Sequence, residues 1–175
     1  MSAEKRVLLF TGEGKGKTTA ALGMALRAWG HGMRVACVFF VKSRHDVGEV
    51  LAMQKLDGWD HFVTGLGFLP AKDHPDFIKH VEAARAGLEK SRELVRSGDY
   101  DMIVLDEVCW AAHRGLLDPE AIAEVVGEMR ADSSLVLTGR FADDRLLALA
   151  DTASSMKFLK HGYDDGIPAQ AGIEK

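Results

Sequence analysis

Apolar positions along the chain alternate between strand-length runs and longer stretches with helical periodicity. Arg6 to Phe10 (RVLLF) is a short apolar run that leads straight into a glycine-rich segment, TGEGKGK. From Lys17 to Trp29 the apolar residues Ala21, Leu22, Ala25, Leu26 and Trp29 recur near helical spacing, and Gly30 and Gly32 mark the stop. Met33 to Lys42 (MRVACVFFVK) is apolar nearly throughout, as a strand buried on both faces should be. The next thirty or so residues are less regular. They predict a short helix near Gly48 to Lys55, a short strand around Phe62 and a loop, TGLGFLPAKDHPD. Pro75 suits the first turn of a long helix to Ser97, closed by Gly98. YDMIVLDEV is the next strand, and LDPEAIAEVVGEMR a helix with Asp118 as N-cap and Pro119 at its first position. SSLVLTGR follows as a strand, DDRLLALADT as a short helix and SSMKFLKH as a final strand, before an irregular tail from Gly162. Strands alternating with helices predict an α/β fold, a mostly parallel sheet flanked by helices in three layers. No repeat, linker or low-complexity run divides residues 1–175, which read as one domain.

The glycine-rich segment carries the first chemistry. The phosphate-binding pattern G-x-x-x-x-G-K-[ST] would put a glycine at position 11, where Thr11 stands. The spacing is compressed to G-x-x-x-G-K-T, starting at Gly12, and it holds a second lysine, Lys15. Strand, loop and helix in this order are the context of a P-loop, so the fold is P-loop NTPase-like. Gly12, Gly14 and Gly16 let backbone N–H groups converge on phosphate oxygens at a helix N-terminus. Lys17 would neutralise phosphate charge, and the Thr18 hydroxyl would ligate Mg²⁺. Asp106 and Glu107 end a buried strand, where open α/β sheets present ligands and a carboxylate holds metal. Glu107 has two open roles: orienting an attacking water in an ATPase, or ligating metal and positioning substrate in a transferase. Arg140, after the strand SSLVLTGR, and Lys42, at the end of the second strand, are further phosphate-side candidates.

Composition removes other classes. The chain has 175 residues, 47% of them apolar, enough for one real core. A net charge of −4 argues against a nucleic-acid partner. No asparagine occurs, which removes the protein-kinase catalytic loop and the Asn-Lys-x-Asp guanine reader. Cys37 and Cys109 have no metal or disulfide spacing, and the seven histidines form no i,i+4 pair that would suggest zinc. No apolar run is long enough to span a membrane, and the N-terminus reads as a strand rather than a signal peptide. A cytoplasmic location is the expectation.

TGEGKGKTTAALG, VLDE, TGR and the tail KHGYDDGIPAQAGIE together resemble the ATP:corrinoid adenosyltransferases of the CobA/CobO/BtuR type. The likeness runs from about Arg6 to Glu174, and the compressed loop is normal within that family. It implies transfer of the 5′-deoxyadenosyl group of ATP to cobalt(I) of a corrinoid, with triphosphate released. It implies that ATP lies reversed along the cradle, leaving the ribose carbon toward the corrinoid. Gly12, Glu13, Gly14, Lys15, Gly16, Lys17, Thr18 and Thr19 would bind triphosphate, with Lys42 and Arg140 beside it. Lys15 and Lys17 would stabilise the leaving group. Thr18, Asp106 and Glu107 would hold Mg²⁺ or Mn²⁺. In the stretch Gly67-Phe68-Leu69-Pro70, Phe68 matches an aromatic that excludes the corrinoid's lower ligand, and Leu69 would extend that wedge. Pro70 stands where the family's tryptophan is expected. A flavoprotein electron donor and a homodimer are implied, and the tail would pack near a partner or over the site. Two other readings stay open on the residues: a P-loop ATPase or phosphotransferase using Glu107 as base, and a carrier that binds nucleotide and corrinoid without turnover.

Overall fold

The computed structural model describes residues 4–174. Six strands form one parallel sheet in the order β3-β2-β4-β5-β1-β6. They are β1 (Arg6–Thr11), β2 (Val35–Phe39), β3 (Trp59–Val63), β4 (Met102–Asp106), β5 (Ser134–Thr138) and β6 (Thr152–Ser155). Side-chain alternation along the strands splits the core into two layers. Ala36, Val38, Ile103, Leu105, Leu135 and Leu137 face one side, packed under α3 (Phe77–Ser97), α4 (Val108–His113), α5 (Pro119–Gly127) and α6 (Asp144–Leu149). Val35, Cys37, Phe39, Val104 and Val136 face the other, under α1 (Lys17–Gly30) and α2 (Gly48–Met53). The three-layer parallel architecture expected from the apolar runs is therefore present.

Local signals account for some boundaries. The Asp118 side chain accepts from the Glu120 N–H at 3.0 Å, with Pro119 at the first helical position. Gly98 ends α3 at φ 71, in the left-handed region. Three expectations need correction. The long helix begins at Phe77, two residues later than Pro75, with Asp76 at its N-cap. A six-residue helix, α4, follows β4 directly, where no helix was expected. Glu107 turns the chain at φ 62 without any glycine or proline to announce it. The last strand is Thr152–Ser155, not Ser154–His161. Its ladder ends where its partner β1 ends, at the Thr11↔Ser155 pair. Beyond it the chain crosses onto the phosphate loop, so Phe158 and Leu159 are exposed rather than paired. No helix of the described residues is long and apolar enough to cross a membrane.

Candidate active site

Because every strand is parallel, the loops after β1, β2, β4 and β5 open on one edge of the sheet. A cavity of about 750 Å³ lies there. Its polar arm is walled by Gly14 to Thr19, Lys42, Glu107 and Arg140, and its apolar arm by Leu22, Leu26, Met53, Leu56 and Trp59. This brings together residues that the sequence spreads from position 14 to position 140. Gly12, Glu13 and Asp106 are not among the lining residues, although each adjoins or is hydrogen-bonded to one that is.

In the loop, Gly16 takes φ 112 as the N-cap of α1, a conformation that glycine adopts without strain. Lys17 is 6% exposed, and its ammonium donates to the Gly12 and Gly14 carbonyls at 2.8 and 2.7 Å. Burial lowers its pKa, against the pull of Glu107, which raises it. Gly12 and Gly14 also face a packing constraint from the tail. A Cβ on Gly12 would lie 2.5 Å from the Met156 carbonyl oxygen, and one on Gly14 would lie 2.7 Å from that of Lys157. The Gly14 N–H donates to the Met156 carbonyl at 2.7 Å, so here it serves the tail rather than the cavity.

The acidic end is held by β5. The Thr138 hydroxyl donates to Asp106 Oδ1 at 2.9 Å and accepts from the Glu107 N–H at 2.8 Å. Lys42 bridges Asp106 Oδ2, at 3.8 Å, and Glu49, with which it forms a close ion pair. Burial works to raise the Glu49 carboxyl, but its hydrogen bond from Lys42 leaves the pKa below the ordinary value. Glu107 is pushed from 4.5 up to about 7, chiefly by burial and then by the Asp106 charge, although Lys17 and Arg140 pull it down. Arg140 sits 3.6 Å from Glu13.

A stability prediction follows from Glu107. The folded protein holds this proton more tightly than the unfolded chain, so the stabilisation is complete below about 4.5 and lost as pH rises through about 7. Glu107→Gln should therefore be the more stable protein at pH 8, by ~1–2 kcal/mol once solvent on the open side is allowed for. Urea unfolding of the ligand-free proteins at pH 5 and pH 8 reads this directly. A difference that does not change with pH would mean that Glu107 titrates normally.

Phe68 is 92% exposed and does not line the cavity. Its loop is nonetheless pinned beside Lys42: the Gly65 N–H donates to the Phe39 carbonyl and the Gly67 N–H to that of Val41, at 3.1 and 2.8 Å. Leu69 is 7% exposed and packs into the core, so it adds nothing to an apolar wedge. Glu49 and the apolar arm escaped the sequence reading. Glu49 carried one weak signal, an acid in the first turn of a helix. Of the two placements left open for the tail, the fold puts Gly172, Ile173 and Glu174 in the cavity wall. Among the described residues no group of three or more His, Cys, Asp or Glu side chains could cage a metal.

Sheet order, loop and acidic strand end define a P-loop nucleotide-binding protein of α/β type. The KaiC-like protein of Pyrococcus horikoshii OT3 shares the fold, with a TM-score of 0.54 at 17% identity over 90% of this chain and 75% of that one. The chain matches the model of the ATP:corrinoid adenosyltransferase BtuR/CobO/CobP family over residues 3–174, and it belongs to that family. It is 33% identical to the corrinoid adenosyltransferase of Escherichia coli K12 over 96% of this chain and 84% of that protein. Against that of Pseudomonas aeruginosa the figures are 32%, 96% and 82%. The adenosyltransferase class and its two substrates, ATP and a corrinoid, are thus those expected from the compressed loop and the tail.

Proposed function

We propose that the polar arm of the cavity holds the triphosphate of ATP, with the ribose 5′ carbon turned toward the Phe68 loop, where the corrinoid docks. The observation that carries this reading is that two lysines of one loop, Lys15 and Lys17, line the same cavity as Arg140. When cobalt(I) attacks the 5′ carbon, the carbon–oxygen bond to the α-phosphate breaks and its electron pair leaves on triphosphate. Charge develops along that chain, so cations placed along it lower the barrier. Lys17 would exchange its two loop carbonyls for phosphate oxygens, and Thr19 and the Gly16 turn would frame them. Lys42 and Arg140 flank the chain, and Glu13 keeps Arg140 at the rim.

Thr18, Asp106 and Glu107 offer hard oxygen donors of the kind Mg²⁺ takes alongside substrate phosphates, and Mn²⁺ would suit the same set. Bound there, the metal would neutralise charge on the leaving group. In such a complex the raised Glu107 carboxyl would give up its proton. In this reading Glu107 is a metal ligand rather than a hydrolytic base. A flavoprotein reductant, a homodimeric state and a cytoplasmic location complete the reading and rest on the family likeness.

Two outcomes test it. Inorganic tripolyphosphate should compete with ATP and not with the corrinoid. Phe68→Ala should slow cobalt reduction and transfer at least ~10-fold while leaving ATP affinity unchanged, because only an apolar side chain near the corrinoid is lost. Equal loss of ATP affinity would place Phe68 in the nucleotide site and overturn the two-sided arrangement.

A further inference from the structure

The C-terminal tail occupies the phosphate loop. After β6 the Met156 N–H donates to the Thr11 carbonyl at 2.8 Å, and its own carbonyl takes the Gly14 N–H at 2.7 Å. The chain then returns over the cavity, where Lys15 Nζ donates to the Ile173 carbonyl at 2.8 Å and lies 3.6 Å from the Glu174 carboxylate. A turn at the end of the tail fixes these groups. The Ile173 and Glu174 N–H groups donate to the Gln170 carbonyl at 3.2 and 3.0 Å, and the Gln170 N–H donates to Glu174 Oε2 at 3.0 Å. The carboxylate is thus presented by a closed turn rather than by a free end, and the same turn forms part of the cavity wall.

Each lysine of the loop is satisfied by partners within the chain. For Lys17 these are carbonyls of its own loop, and both bonds are short-range in sequence. For Lys15 they are a carboxylate and a carbonyl more than 150 residues away. A carboxylate on a phosphate-binding lysine is an internal substitute for the ligand. We propose that Glu174 is a stand-in anion, which holds Lys15 while the cradle is free of polyphosphate and retakes it as triphosphate departs. The proposal rests on the reading of Gly12–Thr19 as the triphosphate cradle. Glu174 is then a product-release residue: it competes with the leaving group for one lysine and keeps a highly charged product from stalling the enzyme.

The competition is modest, because Lys15 and Glu174 side chains are 42% and 30% exposed and such pairs are weak. Glu174→Gln keeps the turn's size and removes the charge. It should tighten binding of inorganic tripolyphosphate, measured by calorimetry, by about three- to fivefold. Its inhibition constant in turnover should fall by the same factor. The gain should vanish in a Lys15→Met background, where no ammonium is left to compete for. Unchanged or weaker binding in Glu174→Gln, with binding still abolished by Lys17→Ala, overturns the stand-in anion and leaves the cradle in place. A gain that persists in Lys15→Met overturns the pairing, since Glu174 would then act only as a nearby negative charge. Tripolyphosphate affinity indifferent to all three substitutions overturns the cradle itself.

Discussion

Lys17→Ala should lower the rate of adenosyl transfer by ~10²-fold or more and leave the protein folded. The reason lies in what the ammonium does in each state. Without ligand it satisfies two carbonyls of its own loop, at 2.8 and 2.7 Å. Lys17 is buried, so alanine leaves two loop carbonyls short of a donor, a local cost of about 1–3 kcal/mol that the core can bear. During transfer, triphosphate leaves with charge spread over its whole length, and nothing else is placed to follow it into the base of the loop. A stopped-flow record of the corrinoid spectrum with saturating ATP measures the loss. A rate within a few-fold of the unaltered enzyme would mean that the Gly12–Thr19 loop is not the catalytic cradle.

Gly139→Ala should destabilise the protein strongly at the edge of the site. Gly139 has φ 141, and a Cβ there would lie 2.6 Å from the Trp110 backbone N–H nitrogen and 3.0 Å from Cys109 Cβ. Neither neighbour can yield, because α4 begins one residue after the acidic pair and is anchored through Thr138. Backbone strain and overpacking together should cost ~3 kcal/mol or more. For a chain of this length that lowers the melting temperature by roughly 6–12 °C. The same shift would tilt Thr138 away from Asp106 and Glu107, so activity should fall before the fold is lost. Thermal unfolding by circular dichroism beside a transfer assay at 20 °C below the midpoint separates the two effects. A melting temperature within a degree or two of the original would show that the β5–α4 junction is looser than its packing indicates.

The sheet was legible because its strands are buried on both faces. Runs such as VACVF and MIVLD leave few choices, and α5 and α6 carry ordinary aspartate caps. The nucleotide loop was legible because phosphate chemistry demands glycine, lysine and threonine at fixed spacing. The rest depended on backbone turns and long-range contacts that local patterns do not encode. α4 was invisible because a glutamate, not a glycine, adopts the left-handed turn after β4. β6 was misplaced because Met156, Phe158 and Leu159 look like strand residues, while the Met156 carbonyl is taken by the phosphate loop at Gly14 and Phe158 and Leu159 are exposed. Glu49 became a site residue only when the loop after β2 brought it to Lys42. The grip of Glu174 on Lys15 joins positions 159 apart in the chain, beyond the reach of any periodicity.

The most direct measurement counts products. The protein is mixed anaerobically with ATP, Mg²⁺ and chemically reduced cob(I)alamin, the adenosyl–cobalt band is followed optically, and phosphates are resolved by ³¹P NMR. One triphosphate for each adenosylated corrinoid, and none without the corrinoid, is the predicted result. ADP and orthophosphate released with the corrinoid spectrum unchanged would contradict it and make Glu107 the base of a hydrolase.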